Sequence, residues 1–174
     1  VGPTNCGKTY HALERLKEAS CGVYLGPLRL LALEIHEKTK DAGIACTMLT
    51  GEECIPEENS RITSSTIEML DMEQHYDIAV IDEAQMIADR DRGHSWTRAI
   101  LGVKAAAIHI CMSPAAEEVV THLIALCEDT FEVRHYERKT ALVCEQEAFV
   151  FPDDVTEGDA LITFTKRAVL DIAG

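Results

Sequence analysis

The feature that most constrains this chain is a glycine-rich loop in its first residues, which fits the pattern Gly-x-x-x-x-Gly-Lys-Thr. The loop consists of Gly2, Pro3, Thr4, Asn5, Cys6, Gly7, Lys8 and Thr9. In such loops the backbone amides, the lysine and the hydroxyl surround the phosphates of a nucleoside triphosphate. Because the loop joins a strand to a helix, it predicts an α/β fold with a mostly parallel sheet. Only Val1 precedes the loop, so we expect the sequence to be an N-terminally truncated fragment.

Composition excludes several classes of protein. No run of about 18 apolar residues could span a bilayer, and no signal peptide is present, so we expect no membrane partner. The seven cysteines are scattered without a Cys-x-x-Cys pair. They indicate a reducing compartment rather than a disulfide framework or a zinc ribbon. The net charge of -14 opposes a broadly basic surface, so any contact with nucleic acid must be local.

Short apolar runs alternate with segments of helical periodicity, as expected for repeated strand-helix units. We predict strands at residues 22–25, 46–49, 61–64, 78–81 and 106–111, and helices at 9–19, 28–41, 95–101 and 115–126. A short helix from Thr66 would be capped by the hydroxyl of that residue. A β-rich stretch is predicted from Phe131. An acidic connector follows, and a further strand at 160–164 leads into a helix from Lys166.

The predicted strand at residues 78–81 is apolar throughout and ends at Asp82-Glu83-Ala84-Gln85. Thr9 and Asp82 would hold a magnesium ion, while Lys8 would reach the β and γ phosphates of the nucleotide. Glu83 is the candidate for orienting and deprotonating the attacking water. Gln85 is either a sensor of the γ phosphate or a surface amide.

Further blocks carry a family resemblance over about residues 1–116. Together with the loop and the acidic motif, this set looks like the Suv3 family of superfamily 2, DExH-type RNA helicases. The blocks are Val23-Tyr24-Leu25-Gly26-Pro27-Leu28-Arg29-Leu30-Leu31-Ala32, Thr50-Gly51-Glu52-Glu53, Thr66-Ile67-Glu68-Met69 and Trp96-Thr97-Arg98-Ala99.

The resemblance implies an ATP-driven enzyme that unwinds RNA, or RNA and DNA duplexes, in the mitochondrial matrix or the bacterial cytoplasm. An exoribonuclease is a possible partner of such an enzyme. Residues at the family's positions for backbone contacts with nucleic acid are Pro27, Arg29, Thr50, Gly51 and Thr66. Three of them also have a structural interpretation, Pro27 as a turn residue, Arg29 as a solvated helix end and Thr66 as a helix cap. Ser113 takes the place of the motif that couples nucleotide state to nucleic-acid binding, and a helix cap is its alternative.

The resemblance also implies a domain organisation. Residues 1–142 would form the first RecA-like domain, a P-loop NTPase fold. Residues 143–174 would form a connector and the beginning of a second RecA-like domain. Arginines of that second domain would complete the site in cis, so we expect the chain alone to hydrolyse ATP weakly or not at all.

A type II thymidine kinase is the alternative from another reaction class, because that family also combines a Gly-Pro-x-x-x-Gly-Lys loop with an Asp-Glu-x-Gln strand end. Its paired Cys-x-x-Cys units are absent from this sequence. A nucleotide-binding scaffold without turnover is a third interpretation. The intact Lys8, Thr9, Asp82 and Glu83 argue against it.

Overall fold

The centre of the fold is a six-stranded sheet with the strand order β3-β2-β4-β1-β5-β6. A computed structural model describes residues 1–138, 140–141, 143–144 and 146–173. All neighbouring strands pair in parallel except β3, which is antiparallel to β2. The strands are β1 (Gly22–Gly26), β2 (Cys46–Leu49), β3 (Cys54–Ile55), β4 (Ile62–Thr66), β5 (His75–Ile81) and β6 (Lys104–Ile110).

Helices cover both faces of this sheet. They are α1 (Lys8–Lys17), α2 (Arg29–Asp41), α3 (Gly93–Gly102) and α4 (Glu117–Leu126). A further helix, α5 (Lys166–Ala173), follows later in the chain. Single 3-10 turns lie at Ile67–Met69, Ala84–Ala88 and Pro114–Ala116. The mostly parallel sheet with flanking helices confirms the predicted α/β fold.

Two apolar clusters hold the helices against the sheet. On one face, Leu16 of α1 packs in a cluster with Tyr24 and Val80 of the strands. On the other face, Trp96 of α3 packs in a cluster with Leu25 of β1. The neighbouring residues Tyr24 and Leu25 of β1 thus belong to opposite clusters, because successive side chains of a strand point to opposite faces of the sheet. Every residue of β1 is buried, which explains its continuous apolar sequence.

The parallel pairing brings the carboxyl ends of the strands to one edge of the sheet. Gly26 at the end of β1 lies beside Thr66 at the end of β4. On the other side, Leu25 of β1 pairs with Ile81, which in turn pairs with Ile110 of β6. The segments that follow these strands therefore lie side by side, and ligands of open α/β sheets bind at this edge.

Most predicted elements are confirmed, with differences of one to three residues at some of their ends. β5 begins at His75 rather than at residue 78, because its polar first residues pair with the start of β6. The two-residue strand β3 has too short a pattern to be recognised in the sequence. Thr66 precedes the Ile67–Met69 turn, but its side chain makes no capping hydrogen bond in the described structure. The expected cap is therefore wrong, since this one turn is closed by backbone bonds alone.

The β-rich stretch expected from Phe131 is also wrong for the described residues, which include no strand there. The α-amino group of Val1 donates to the carbonyl oxygen of Arg134 at 2.7 Å. The amide of Tyr136 donates to the carbonyl oxygen of Val1 at 2.8 Å. This is the hydrogen-bond pattern of a parallel pair.

The chain divides into two units, Val1–Thr140 and Ala141–Gly174. Within the described part of the second unit, α5 begins at Lys166 as predicted. The strand expected at residues 160–164 is not formed, and Phe164 is 99% exposed. A strand needs a hydrogen-bonding neighbour, and the described residues of this unit include no other strand. The predicted boundary falls at Leu142, which lies outside the described residues, and the assignment of residues 143–174 stays a prediction.

Among the described helices, none is long and apolar enough to cross a membrane.

Gly93, at the start of α3, is a position where the packing permits no side chain. A Cβ there would lie 2.3 Å from the carbonyl oxygen of Ile87. Alanine ordinarily stabilises a helix relative to glycine, but here the backbone must move. We expect Gly93→Ala to lower the free energy of unfolding by about 2 kcal/mol, measured by urea denaturation.

Gly51→Ala is the matched control for this substitution. Gly51 has no atom within 4 Å of its ideal Cβ, so we expect a change of less than about 0.5 kcal/mol. A Gly93→Ala chain as stable as the unchanged chain would contradict the packing argument.

Candidate nucleotide-binding site

The glycine-rich loop curls back over the beginning of α1. Asn5 and Gly7 adopt positive φ angles of 59° and 88°, which turn the backbone into the helix. The loop leaves α1 without a side-chain cap and without an acidic residue in its first turn. The amides at this end are therefore suited to an anion, which the helix dipole also favours. The Lys8 side chain is buried, and its Nζ donates to the carbonyl oxygen of Pro3 at 3.2 Å.

The start of the loop is tightly packed. The amide of Gly2 donates to the carbonyl oxygen of Met112, just beyond β6, at 3.0 Å. A Cβ at Gly2 would lie 2.6 Å from the carbonyl oxygen of Tyr136 and 2.7 Å from Sγ of Cys6. Glycine is therefore required at this position for steric reasons. Cys6 fills the space behind the loop with a buried thiol.

Asp82 follows β5 directly and lies beneath the loop, with only 4% of its surface exposed. Its Oδ1 accepts hydrogen bonds from Oγ1 of Thr9 and from the amide of Glu83, both at 3.0 Å. Its Oδ2 accepts the hydroxyl proton of Tyr24, also at 3.0 Å. Three donors thus hold one buried carboxylate, which offsets part of the cost of removing it from water.

These contacts act on the ionisation of Asp82 in opposite directions. Burial raises the pKa of Asp82, and the neighbouring Glu83 adds to the increase. Hydrogen bonds from the Glu83 amide, Tyr24 and Thr9 lower the pKa but do not reverse the shift. Burial and the Asp82 carboxylate also raise the pKa of Tyr24, which remains a protonated donor.

The oxygens of Thr9 and Asp82 are the ones that fit a magnesium ion. A hydroxyl and a carboxylate oxygen 3.0 Å apart form a hard donor pair of the kind this ion prefers. The described residues include no cluster of three or more His, Cys, Asp or Glu side chains that could hold a metal. The donor set therefore suits an ion that takes its other ligands from phosphates and water, as magnesium does.

Glu83, Gln85 and Ser113 are linked beside Asp82. Glu83 has a positive φ angle of 50°, and its carboxylate accepts a hydrogen bond from the side-chain amide of Gln85. The amide oxygen of Gln85 accepts the backbone N–H of Ser113 at 3.0 Å. Ser113 precedes a 3-10 turn, yet its side chain makes no capping bond in the described structure. Gln85 therefore connects the acidic motif to the segment after β6, rather than lying free on the surface.

The residues predicted to contact nucleic acid lie at the same edge of the sheet, but their exposure differs. Arg29 and Gly51 are exposed. Thr50 is buried, and its hydroxyl donates to the Glu53 carbonyl oxygen and accepts the Glu53 amide, both at 3.1 Å. Arg29 forms an ion pair with the Glu53 carboxylate. The remaining two predicted residues, Pro27 and Thr66, are buried.

Three residues of the site escaped the sequence prediction, namely Tyr24, Arg92 and Trp96. Trp96 is fully buried and donates its indole N–H to the carbonyl oxygen of Asp82 at 3.0 Å. Arg92 lies 5.7 Å above the Trp96 ring and donates to the carbonyl oxygen of Pro27 at 2.6 Å. The sequence could have indicated Tyr24 and Trp96, because a buried tyrosine or tryptophan needs a hydrogen-bond partner for its polar atom.

Comparison with known protein families finds a match over most of the chain. A model of the DEXQ-box helicase domain of Suv3 matches residues 1–136. The chain is 45% identical over 173 residues to the mitochondrial ATP-dependent RNA helicase SUV3 homolog of Caenorhabditis elegans, covering 97% of this chain and 24% of the relative. It is 42% identical over 176 residues to the human mitochondrial ATP-dependent RNA helicase SUPV3L1, covering 99% and 22%. The chain thus spans about a quarter of the length of these relatives.

A similar fold occurs in a hypothetical ATP-dependent RNA helicase from Sulfolobus tokodaii. The TM-score is 0.57 at 14% identity, over 75% of this chain and 44% of that one. At this identity the likeness concerns the fold alone. The family match and the two relatives support the helicase interpretation, and neither supports the thymidine kinase alternative.

The raised pKa of Asp82 leads to a prediction about stability and pH. The folded chain retains this proton to a higher pH than the unfolded chain, whose carboxyl titrates near 4. The stability that the protonated form contributes is therefore lost as the pH rises above about 4. Asp82→Asn stays neutral, so we expect its stability relative to the unchanged chain to increase from pH 4 to pH 7.

Urea denaturation in EDTA at several pH values between 4 and 7 measures this difference. The other carboxyl groups are common to both chains, so their titration largely cancels. A difference in unfolding free energy that is constant or decreases over this range would contradict the predicted direction.

Proposed function

The chain belongs to the family of DEXQ-box helicase domains of Suv3, and from this premise we propose that it is an ATP-binding motor domain of an ATP-dependent RNA helicase. The observation that carries the proposal is the convergence of the loop and the acidic motif. Thr9 and Asp82 are 73 positions apart in the sequence, yet their side chains are in contact. ATP hydrolysis in such a motor drives the unwinding of RNA, or of RNA and DNA duplexes.

The loop would bind the phosphates of ATP. No side-chain cap occupies the amides at the start of α1, so these amides are available to bind an anion. Lys8 would exchange the carbonyl oxygen of Pro3 for the β and γ phosphates. The buried position of its stem confines the ammonium to the loop, so little conformational entropy is lost on binding.

Thr9 and Asp82 would hold the magnesium ion, which neutralises phosphate charge when bound. Glu83 would orient the attacking water and accept its proton. The amide of Gln85 restricts the Glu83 carboxylate to one orientation, which supports this role. The Gln85 amide oxygen also accepts the backbone N–H of Ser113. If Glu83 moved at the γ phosphate, Gln85 would transmit the movement to the segment after β6.

A second RecA-like domain in cis would complete the motor, and residues 143–174 would form the connector and the beginning of that domain. Closure of two domains on the γ phosphate is how such enzymes couple hydrolysis to movement. An arginine supplied across such a cleft can be worth about 10³ to 10⁵ in rate. The chain alone would therefore bind ATP weakly and hydrolyse it poorly.

RNA would pass over the carboxyl edge of the sheet near Arg29, Thr50, Gly51 and Thr66, with Pro27 shaping the turn. Arg29 would supply a charge, whereas the exposed Gly51 would offer its backbone to a phosphate.

The relatives are named mitochondrial, which supports the mitochondrial matrix as the location. The scattered cysteines, which include no Cys-x-x-Cys pair, favour a reducing compartment. A partner exoribonuclease would degrade the RNA strand that the helicase releases.

Lys8→Ala tests the role of the loop in nucleotide binding. Because a hydrogen bond to a charged group contributes about 1.5–3 kcal/mol, we expect ATP affinity to fall at least 10-fold in calorimetric titrations. Lys17→Ala is the matched control, since Lys17 lies on the same helix but pairs with Glu14 at the surface. Equal affinity of the Lys8→Ala chain and the control would remove Lys8 from the site.

Arg29 provides a test of the RNA-binding edge. We expect Arg29→Ala to weaken binding of single-stranded RNA and to reduce the slope of log K against log salt by about 0.7. Glu53→Gln releases Arg29 from its ion pair and should strengthen binding. Arg15→Ala is the control, because Arg15 is an exposed arginine on α1 paired with Glu18. Identical salt slopes for the Arg29→Ala and Arg15→Ala chains would argue against the contact.

A further inference from the structure

Tyr24 stands out as a polar side chain in the interior of the sheet. It lies in the middle of β1, is 1% exposed and packs among the apolar residues of its cluster. Its hydroxyl donates to Oδ2 of Asp82 at 3.0 Å. Phenylalanine would fill the same space without a polar atom to satisfy, so packing by itself does not account for a tyrosine here.

The backbone around Tyr24 is arranged to let the ring reach the edge of the sheet. Tyr24 pairs with Val80, so its ring must extend along the strand to meet Asp82. Gly26 leaves the path open, because a Cβ at this position would lie 2.9 Å from both Cε1 and the hydroxyl oxygen of Tyr24. The absence of a side chain at Gly26 is therefore part of the same arrangement.

The two oxygens of Asp82 have different partners. Oδ1 accepts hydrogen bonds from Thr9 and from the Glu83 amide, while Oδ2 accepts the hydroxyl proton of Tyr24. A carboxylate on a single Cβ–Cγ bond rotates easily, and a bond to one oxygen restricts the position of the other. Partners behind a metal ligand commonly act in this manner, and their loss typically costs about 10- to 100-fold in metal affinity.

We infer that Tyr24 is a positioning residue for Asp82, whose hydroxyl holds Oδ2 so that Oδ1 remains directed at Thr9 and at the magnesium position. The inference rests on the proposed function of Thr9 and Asp82 as the residues that hold this ion. In this role Tyr24 would contact neither the ion nor the nucleotide. It acts only through the orientation of the carboxylate.

Binding of a fluorescent ATP analogue to the full chain, titrated with magnesium chloride, tests the inference. We expect Tyr24→Phe to raise the magnesium concentration for half-maximal enhancement of binding about 10-fold. Binding of the analogue in EDTA should be unchanged, because the loop is intact. A general loss of structure would instead lower binding under both conditions. Tyr76→Phe is the matched control, since Tyr76 is a half-buried tyrosine of β5 outside the site.

Two further variants separate the inference from the proposed function. Gly26→Ala displaces the Tyr24 ring and should reproduce the shift in magnesium dependence. In an Asp82→Asn background, Tyr24→Phe should have no additional effect, because the group through which it acts is gone.

The outcomes are distinct. The positioning role would be overturned if Tyr24→Phe had the same magnesium midpoint as the unchanged chain while Asp82→Asn had a shifted one. The proposed ion site would then remain intact. An additional effect in the Asp82→Asn background would also overturn it. If the unchanged chain showed no magnesium dependence at all, the proposed ion site would fail and the inference with it.

Discussion

The parallel pairing of β5 with its two neighbours is the interaction on which the site depends. At the carboxyl end of β5 the pairing continues past the strand, with the Asp82 amide donating to Leu25 of β1 and the Cys111 amide donating to Ile81, both at 2.9 Å. Gly2 is bonded to Met112, one residue further along. The loop and the acidic motif are therefore both fixed to the same end of the sheet, and their contact follows from backbone hydrogen bonds rather than from the side chains alone.

This geometry requires a charged group to be buried. The Asp82 carboxylate accepts hydrogen bonds from Thr9 of α1, from Tyr24 of β1 and from the amide of the next residue. Trp96 donates to the Asp82 carbonyl oxygen from the other face of the sheet. The donors do not fully replace water, since the pKa of Asp82 is still raised. A buried carboxylate of this kind is expected where function takes precedence over stability. It is useful because its orientation is fixed before any ligand arrives, which removes a conformational cost from binding.

Much of the fold was predictable because its signals are local. The apolar runs of β1 and β5 and the spacing of α1 and α2 depend on neighbours within a few residues. The strand predictions that were wrong concern segments whose structure requires a distant partner. The strand expected at 160–164 has no neighbour in its described unit. The cap expected at Thr66 is wrong for a local reason, because the single turn there is closed by backbone bonds. Periodicity indicates that a segment is able to form a strand, but pairing decides whether it does.

Two parts of the candidate site follow from consecutive residues of the sequence, namely the loop ending at Thr9 and the acidic motif beginning at Asp82. Their chemistry depends on residue types at fixed spacing, which a linear motif records. The folded chain was needed to show that Tyr24 meets Asp82, that Gln85 joins Glu83 to Ser113, and that Arg92 binds the Pro27 carbonyl. No linear motif records these contacts, because strand order and register place residues tens of positions apart within hydrogen-bonding distance.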